Sequence, residues 1–202
     1  IINFKRIYKE ILMKIVGLIT EYNPFHNGHL YHIQKAKEIS GADAAVVVMS
    51  GNYVQRGAPA IMPKHLRAEV ALEAGVPVVM ELPVCYAAGS AEYFAAGAIS
   101  LFEQLGCIDS ICFGSECGDY KVLERIARVT ADEPEEYKFS LQEALRKGIS
   151  FPRARQMALK AYLKDDSLDV ILEQPNNILG IEYIKALYKK KSSIKTYTIK
   201  RM

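Results

Sequence analysis

Four short, mainly apolar runs of six or seven residues, each followed by an amphipathic segment, dominate the first part of the chain. They lie at residues 14–19, 44–49, 76–82 and 108–113. Short runs with few polar positions are typical of strands that are buried on both faces of a sheet. Because helical segments separate them, we expect a Rossmann-like α/β fold: a parallel sheet with right-handed crossovers and helices on both faces.

The segments between these runs have helical periodicity and recognisable ends. Helices are expected at residues 28–39, 65–74 and 90–105. The first ends near Gly41 and the second at Gly75, since glycine accepts the left-handed conformation that closes many helices. The stretch from 50 to 63 contains two glycines and two prolines, so it is expected to form an irregular loop.

The pattern becomes mostly helical at about residue 120. Helices are expected at residues 121–131, 135–146 and 152–163. We interpret them as a helical insertion of about residues 120–165. The α/β pattern then resumes at residues 168–172, 180–189 and 194–199, and it ends in an alternating strand. Parallel sheets bind ligands beyond the carboxyl ends of their strands, where strand order reverses, so the loops after the first, second and fourth strands are the candidate functional ones.

Half of the 202 residues are hydrophobic, which suffices for one domain, and we assign residues 13–202 to it. Residues 1–12 are charged and lack the apolar centre of a secretory signal. We interpret them as an N-terminal extension before a natural start at Met13. No apolar run reaches the ~18 residues of a membrane span. Since the chain stops shortly after its last predicted strand, we expect the polypeptide to continue.

The net charge of +3 is small, but basic residues concentrate near the end of the chain. They are Lys189, Lys190, Lys191, Lys195, Lys200 and Arg201. Such a cluster is either a solvated charged terminus or a surface that faces RNA or phosphate, and the sequence leaves both interpretations open.

The four cysteines, Cys85, Cys107, Cys112 and Cys117, lack the paired spacing of a zinc site. We therefore expect no metal centre and interpret them as buried, reduced thiols of a cytoplasmic protein. Nothing in the sequence indicates an oligomeric state.

The loop after the first strand carries the pattern most suggestive of chemistry. Pro24 stiffens the turn, and Gly28 allows the backbone to approach a ligand closely. A helix that begins here directs free N–H groups and its positive dipole end at an anion. His26 and His29 project on nearly the same side, where two imidazoles can stabilise charge on phosphate oxygens. The alternative is a pair of surface histidines; strand, glycine and helix together favour a nucleoside-triphosphate site, with ATP the expected nucleotide.

The four residues His26, Asn27, Gly28 and His29, after a first strand, resemble the HxGH signature of the nucleotidyltransferase superfamily. The wider sequence is similar to one family, the bacterial tRNA(Met) cytidine acetate ligases. The similar segments are residues 21–32 (EYNPFHNGHLYH), 50–57 (SGNYVQRG), 113–116 (FGSE), 175–187 (PNNILGIEYIKAL) and 198–201 (TIKR). The resemblance runs from Met13 to the end of the chain, and the family continues beyond it into a largely helical region.

This resemblance implies an enzyme that activates acetate with ATP, forms acetyl-adenylate and acetylates N4 of the wobble cytidine (position 34) of elongator tRNA(Met). It implies Mg²⁺ with the phosphates, and catalytic roles for His26, His29 and Arg201. The implied ATP contacts are Ile19, Thr20, Glu21, Tyr22, Asn23, Pro24, Phe25, His26, Asn27, Gly28, His29, Leu30, Tyr31, His32, Gly114, Asn176, Asn177, Arg201 and Met202. Met202 stands where the family is expected to have isoleucine.

Several residues outside the HxGH loop have two interpretations each. Gln55 and Arg56 either face the substrate, as acetyl-adenylate or tRNA, or belong to an ordered surface loop. Glu116 either holds a ribose hydroxyl or a metal-bound water, or caps a helix. One of Asn176 and Asn177 is expected to cap the helix that begins there, and the other to recognise adenine or ribose.

Two rival functions remain. An adenylyltransferase for a phosphate monoester, as in cofactor synthesis, needs additional cations near the acceptor. A non-catalytic nucleotide- or RNA-binding module binds ATP without turnover. We expect the chain to bind ATP, without a membrane partner. Transfer to tRNA by the chain alone is not expected, because interfaces with nucleic acid typically bury on the order of 1,000 Å² or more.

Overall fold

Five parallel strands form one sheet in the order β3-β2-β1-β4-β5 in the computed structural model, which describes residues 13–201. The strands are β1 (Ile15–Thr20), β2 (Ala44–Ser50), β3 (Val78–Leu82), β4 (Ser110–Ser115) and β5 (Lys195–Lys200). The parallel, Rossmann-like sheet predicted from the apolar runs is therefore confirmed. Its strand order reverses between β1 and β4.

Nine α-helices and a 3₁₀-helix (Gln55–Gly57) connect the strands of the described part. The α-helices are α1 (Asn27–Ser40), α2 (Lys64–Glu73), α3 (Val84–Ala87), α4 (Ala91–Leu105), α5 (Tyr120–Asp132), α6 (Glu135–Arg146), α7 (Phe151–Leu163), α8 (Leu168–Leu172) and α9 (Pro175–Lys190). Local sequence sets several ends. Gly41 closes α1 at a φ of 64°, and the Ser90 hydroxyl accepts the Tyr93 amide at the start of α4 (3.5 Å).

Helices cover both faces of the sheet and create two hydrophobic cores. On one face, α1 and α2 pack over Leu18 and Val47. On the other face, α4 and α9 pack over Val48 and Phe113. Successive residues of a strand point to opposite faces, so Ile19 packs against the second core. Residues at the carboxyl ends of these strands therefore point towards both faces of the sheet.

The structure changes several predicted boundaries. β4 begins and ends two residues later than the apolar run, because its extent follows its pairing with β5. Lys200 is the last residue of β5 and does not follow it. Residues 168–172 form the short helix α8, and α3 was not predicted.

The segment from Tyr120 to Leu163 folds into three helices, as its periodicity predicts. α5 packs on α9, and α6 packs on α7. That this segment is an insertion stays a prediction, and the proposed extension at residues 1–12 lies outside the described residues. None of the helices within residues 13–201 has the length and apolar character needed to span a membrane.

The cysteines do not all lie in the core. Cys112 is buried, and burial raises the pKa of its thiol to about 12. Cys117 is half-buried, whereas Cys85 and Cys107 are exposed, so the prediction of buried thiols is wrong for those two. That prediction took apolar neighbours in the sequence as a sign of burial, but Val84, beside Cys85, is itself 56% exposed.

Candidate functional site

A cleft of about 520 Å³ opens at the carboxyl edge of the sheet, where the strand order reverses. Its lining includes the predicted residues Ile19, Thr20, Glu21, Tyr22, Asn23, Pro24, His26, Gly28, His29, Tyr31, His32, Gln55, Gly114, Asn176 and Arg201. Five other predicted residues do not line it: Phe25, Asn27, Leu30, Arg56 and Asn177. Met202 lies outside the described residues.

The two histidines of the HxGH loop cap the first turn of α1 reciprocally. Nδ1 of His26 accepts a hydrogen bond from the Gly28 amide (3.1 Å), and Nδ1 of His29 accepts one from the His26 amide (3.3 Å). The rings stack with centroids 3.8 Å apart. The His29 amide is bonded to the His26 carbonyl (2.8 Å). The amides of Gly28 and His29 are therefore not free, contrary to the expectation that they point at a ligand.

This capping decides which ring nitrogen carries the proton. Because each Nδ1 accepts a hydrogen bond, the hydrogen sits on each Nε2, which becomes a donor. Burial, and then the charges of His26, His32 and Arg201, lower the pKa of His29 to about 4. His29 is therefore neutral at pH 7, and it offers a phosphate an N–H donor without a full positive charge.

Aromatic side chains hold the His29 ring in place. Tyr22 is buried and packs edge-on against both His29 and Phe25, each at 4.9 Å between ring centroids. Phe25 thus supports the His29 ring without lining the cleft. A Cβ at Gly28 would lie 2.9 Å from the His26 ring, so the glycine of the signature keeps room for the capping imidazole.

The N-terminus of α9 borders the same cleft and is capped by Glu116. Its Oε1 accepts from the amide (3.3 Å) and Nδ2 (2.6 Å) of Asn176, and its Oε2 accepts from the Asn177 amide (2.8 Å). Burial alone would raise the pKa of Glu116, but hydrogen bonds, first from Asn176, outweigh it and lower that pKa. Of the two interpretations of Glu116, the structure shows the helix cap.

Neither asparagine caps α9, which corrects the sequence prediction. The N-cap position is Gln174, whose side chain makes no capping hydrogen bond. Asn177 is 1% exposed, and its side chain accepts from the Cys117 amide (3.1 Å) and donates to the Ile171 carbonyl (3.1 Å). Its amide group is committed to holding α9 to its surroundings, whereas the Asn176 side chain faces the cleft.

Arg201 follows β5 and lies across the cleft from α1. Its amide donates to the Ser115 carbonyl (2.9 Å), and its Nη1 donates to Asn176 Oδ1 (3.2 Å). A Cβ at Gly114 would lie 3.2 Å from its Cγ. Its charge also lowers the pKa of His29 and, after burial, that of His32, which falls to about 4. The structure thus brings the predicted His26, His29 and Arg201 to one cleft.

The loop after β2 is tied to the loop after β1. Glu21 Oε1 accepts from the Gln55 amide (2.7 Å), and Asn23 Oδ1 accepts from the Ile61 amide (2.9 Å). Gln55 lines the cleft, whereas Arg56 is exposed with a left-handed φ of 67°. Glu21 and Asn23, both predicted to contact ATP, therefore also anchor the neighbouring loop.

Sequence analysis missed Arg67, which is only 1% exposed. Its guanidinium donates to the backbone carbonyls of Glu21, Ser50, Gly51 and Met62. Burial lowers its pKa, and the nearby carboxylate of Glu21 partly offsets that effect. Arg67 therefore joins the loops after β1 and β2 by contacts that no local pattern in α2 reveals.

One end of the cleft is apolar, and it was also missed. It is lined by Phe94, Phe113, Leu179 and Tyr183. A usable signal was present in α9, because Asn176, Leu179 and Tyr183 follow the i, i+3, i+7 spacing of one helix face.

The basic cluster of the sequence is divided in space. Lys189 and Lys190 end α9, and Lys195 opens β5 opposite Ser110. Lys200 lies opposite Ser115, at the other end of the strand, roughly 16 Å away at about 3.3 Å per residue. Of these basic residues, Lys200 and Arg201 line the cleft within the part of the chain that the structure describes.

The sequence profile of the HIGH Nucleotidyl Transferase family matches residues 13–202. The chain belongs to this family. Membership agrees with the HxGH resemblance and with the parallel sheet.

The chain is 55% identical over 191 residues to the tRNA(Met) cytidine acetate ligase of Acetivibrio thermocellus, covering 94% of the chain and 46% of that relative. It is 49% identical over 197 residues to the ligase of the same name from Clostridium perfringens, with coverage of 94% and 49%. The chain spans about half the length of the curated relatives it matches.

Thermotoga maritima TmcAL, solved bound with alpha-thio ATP, has the same fold. Its TM-score with this chain is 0.91 at 46% identity, covering 94% of this chain and 47% of that one. The HxGH-type fold predicted from the sequence is thereby confirmed.

Proposed function

We propose that this chain binds ATP in the cleft and forms acetyl-adenylate, as part of a ligase that acetylates N4 of the wobble cytidine (position 34) of elongator tRNA(Met). The observation that carries the proposal is the meeting of the capped His26–His29 pair, Asn176 and Arg201 in one cleft. The names of the relatives, and the alpha-thio ATP bound to the Thermotoga protein, support it.

In this proposal the triphosphate lies at the start of α1 and the adenosine near β4 and α9. The Nε2–H groups of His26 and His29 donate to phosphate oxygens, and Arg201 supplies the positive charge. Gly114 leaves room for the Arg201 stem beside β4, and the Asn176 side chain is the polar group that faces the adenosine.

Acetate activation needs charge stabilisation more than proton transfer. A carboxylate is already ionised at neutral pH, so its oxygen attacks the α-phosphorus without a general base, and pyrophosphate leaves. Donors that are fixed before the reaction stabilise the developing charge without reorganisation, and the reciprocal capping fixes both imidazoles.

Mg²⁺ is proposed as a partner of the triphosphate. Within residues 13–201, no three His, Cys, Asp or Glu side chains gather into a metal-binding group, and Glu21 is the one carboxylate among the residues that line the cleft. Phosphate oxygens and water would hold the ion, and Mg²⁺ would neutralise part of the phosphate charge when bound.

The apolar end of the cleft disfavours transfer of AMP to a phosphate monoester. Such an acceptor requires cations, whereas this end presents Phe94, Phe113, Leu179 and Tyr183. A small organic acid suits that surface better. A cytoplasmic location follows from the proposed tRNA substrate.

Pyrophosphate release from ATP tests this function. We expect release that depends on acetate and is not replaced by a phosphate monoester. ATP binding without acetate-dependent release would favour the non-catalytic module, and monoester-dependent release would favour the cofactor adenylyltransferase. Labelled acetate and elongator tRNA(Met) test the second step, with any label expected on the transcript that carries C34 and not on a C34U transcript.

A further inference from the structure

We call the apolar end of the cleft, formed by side chains from two helices and a strand, the recess. Phe113 comes from β4, Phe94 from α4, and Leu179 and Tyr183 from α9. The rings of Phe113 and Tyr183 pack at a tilt with centroids 5.5 Å apart. Phe94, Phe113 and Tyr183 are at most 4% exposed, so the walls are fixed by the core behind them.

Tyr183 adds one polar group to this recess. Its ring lines the cleft, and the Glu21 carboxylate at the end of β1 is close enough to raise the pKa of the phenol further, beyond the larger effect of burial. The phenol therefore keeps its proton at every physiological pH, and a neutral O–H can donate a hydrogen bond to an anionic oxygen.

The negative charge of Glu21 opposes an anion in this recess, as it opposes the Tyr183 phenolate, but two neighbouring groups reduce that opposition. Its Oε1 is bound by the Gln55 amide (2.7 Å), and its charge acts on the buried Arg67 guanidinium. Arg67 also binds the Glu21 carbonyl. The carboxylate is thus engaged with the loop after β2.

We propose that this recess binds the acid substrate: the acetate methyl group packs against Phe94, Phe113 and Leu179, and the Tyr183 hydroxyl donates to one carboxylate oxygen. This assignment rests on the proposed function, since it names the acetate subsite of the same cleft. The other carboxylate oxygen attacks the α-phosphorus, an O–P bond forms, and the bond to the leaving pyrophosphate breaks. No proton is transferred in this step.

The recess then determines which acids are activated. Its aromatic walls are buried side chains held by the core, and one methylene in an apolar pocket changes selectivity by roughly 10–200-fold. Acetate is favoured over propionate because the walls exclude the extra methylene, while the Tyr183 donor favours carboxylates over neutral molecules of similar size.

Enlarging the recess tests its role in selectivity. Leu179→Ala should raise the kcat/KM ratio of propionate to acetate by about tenfold or more in acid-dependent ATP–pyrophosphate exchange. Ile178→Ala, one residue away on α9 and not lining the cleft, should leave the ratio unchanged. An unchanged ratio in Leu179→Ala, with acetate-dependent exchange intact, would overturn the recess and leave the proposed function standing.

Removing the Tyr183 hydroxyl tests its proposed hydrogen bond to the acetate carboxylate. Tyr183→Phe should raise KM for acetate by about tenfold, with KM for ATP unchanged. Tyr188→Phe, also on α9 but outside the cleft, should change neither value. Equal KM values for acetate in Tyr183→Phe and the wild type would remove Tyr183 from the subsite.

A binding measurement tests acetate binding in the recess independently of catalytic activity. Saturation-transfer NMR should show magnetisation passing from the protein to the acetate methyl group in the presence of a non-hydrolysable ATP analogue, and Leu179→Phe should abolish it. If acetate-dependent exchange is absent while this transfer is observed, the proposed function fails and the recess stands. If the wild-type protein shows no transfer, the recess is wrong.

Discussion

The two helices that begin at the cleft are capped in opposite ways. α1 is capped by imidazoles, with Nδ1 of His26 and of His29 accepting backbone amides. α9 is capped by the carboxylate of Glu116, which accepts the amides of Asn176 and Asn177. Both caps satisfy N–H groups that a helix leaves unpaired at its start.

The N-termini of α1 and α9 differ in the charge of their caps. The first turn of α1 contains no acidic residue, so its positive dipole end is not compensated by a carboxylate. Glu116 compensates the same end of α9. In the proposed function a triphosphate meets donors at α1, whereas α9 presents an anion. We therefore propose that the N-terminus of α1 binds the phosphates and that the uncharged part of the nucleotide lies near α9.

The largest effect is expected from the α1 cap. His29→Ala should slow adenylate formation by roughly 10²–10³-fold, the scale for losing one preorganised donor, and His26→Ala should slow it less. ATP affinity should fall less than the rate, because the contacts strengthen towards the transition state. Pyrophosphate release measures this, with the exposed His65→Ala as control. A double variant of His26 and His29 with native activity would show that phosphate binds elsewhere.

Arg201 is expected to have the next largest effect. Arg201→Ala should weaken ATP binding by about tenfold, the loss of one charge-assisted contact, in a calorimetric titration. Lys189→Ala is the control, because Lys189 lies in the last turn of α9 and does not line the cleft. Equal losses in the two variants would mean that the basic residues act through their summed charge and not through position.

Acid should destabilise the α1 side of the cleft. The pKa values of His29 and His32 fall from 6.5 to about 4 in the folded protein, so the unfolded chain binds more protons between pH 6.5 and pH 4. Stability is complete above pH 6.5 and is lost as the pH falls towards 4. Allowing for the partial exposure of His29, the free energy of unfolding should drop by about 1–2 kcal/mol from pH 7 to pH 5.

Urea denaturation at pH 7, 6 and 5 measures this loss. His32→Asn should make the dependence on pH shallower, because one of the two titrating rings is removed. A free energy of unfolding that stays constant across this range would contradict the neutral, buried state of the rings.

The α9 cap should affect stability more than chemistry. Glu116→Gln should lower the free energy of unfolding by about 1 kcal/mol, typical of a weakened cap, while acetate-dependent pyrophosphate release changes by less than about threefold. Asp119→Ala, which removes the cap of α5, gives a matched comparison of stability. A drop in rate as large as that of His29→Ala would place Glu116 in the chemistry.

Much of the fold could be predicted from sequence because its signals are local. β2 is a continuous apolar run, and Gly41 marks the end of α1. β4 was misplaced by two residues because pairing with β5, from Ser110–Lys195 to Ser115–Lys200, decides its extent. Pairing between residues this far apart along the chain produces no local sequence pattern.

In the cleft too, local sequence signals could be predicted and contacts between distant residues could not. The His26–Gly28–His29 spacing is short, and it pointed to a loop that lines the cleft. Glu116 caps a helix that starts about sixty residues later, and Arg67 reaches the carbonyls of two separate loops. Such contacts arise from packing, so sequence patterns left Glu116 with two interpretations and missed Arg67.

The contrast between the two helix N-termini can be measured directly by NMR. Inorganic tripolyphosphate, which carries the charge of ATP without its nucleoside, is titrated into the protein while long-range ¹H–¹⁵N spectra follow the histidine rings and backbone spectra follow α9. The account predicts protonated Nε2 in His26 and His29, with both signals shifting on titration, and a stationary Asn177 amide. A shift of the Asn177 amide, with both rings unchanged, would contradict it.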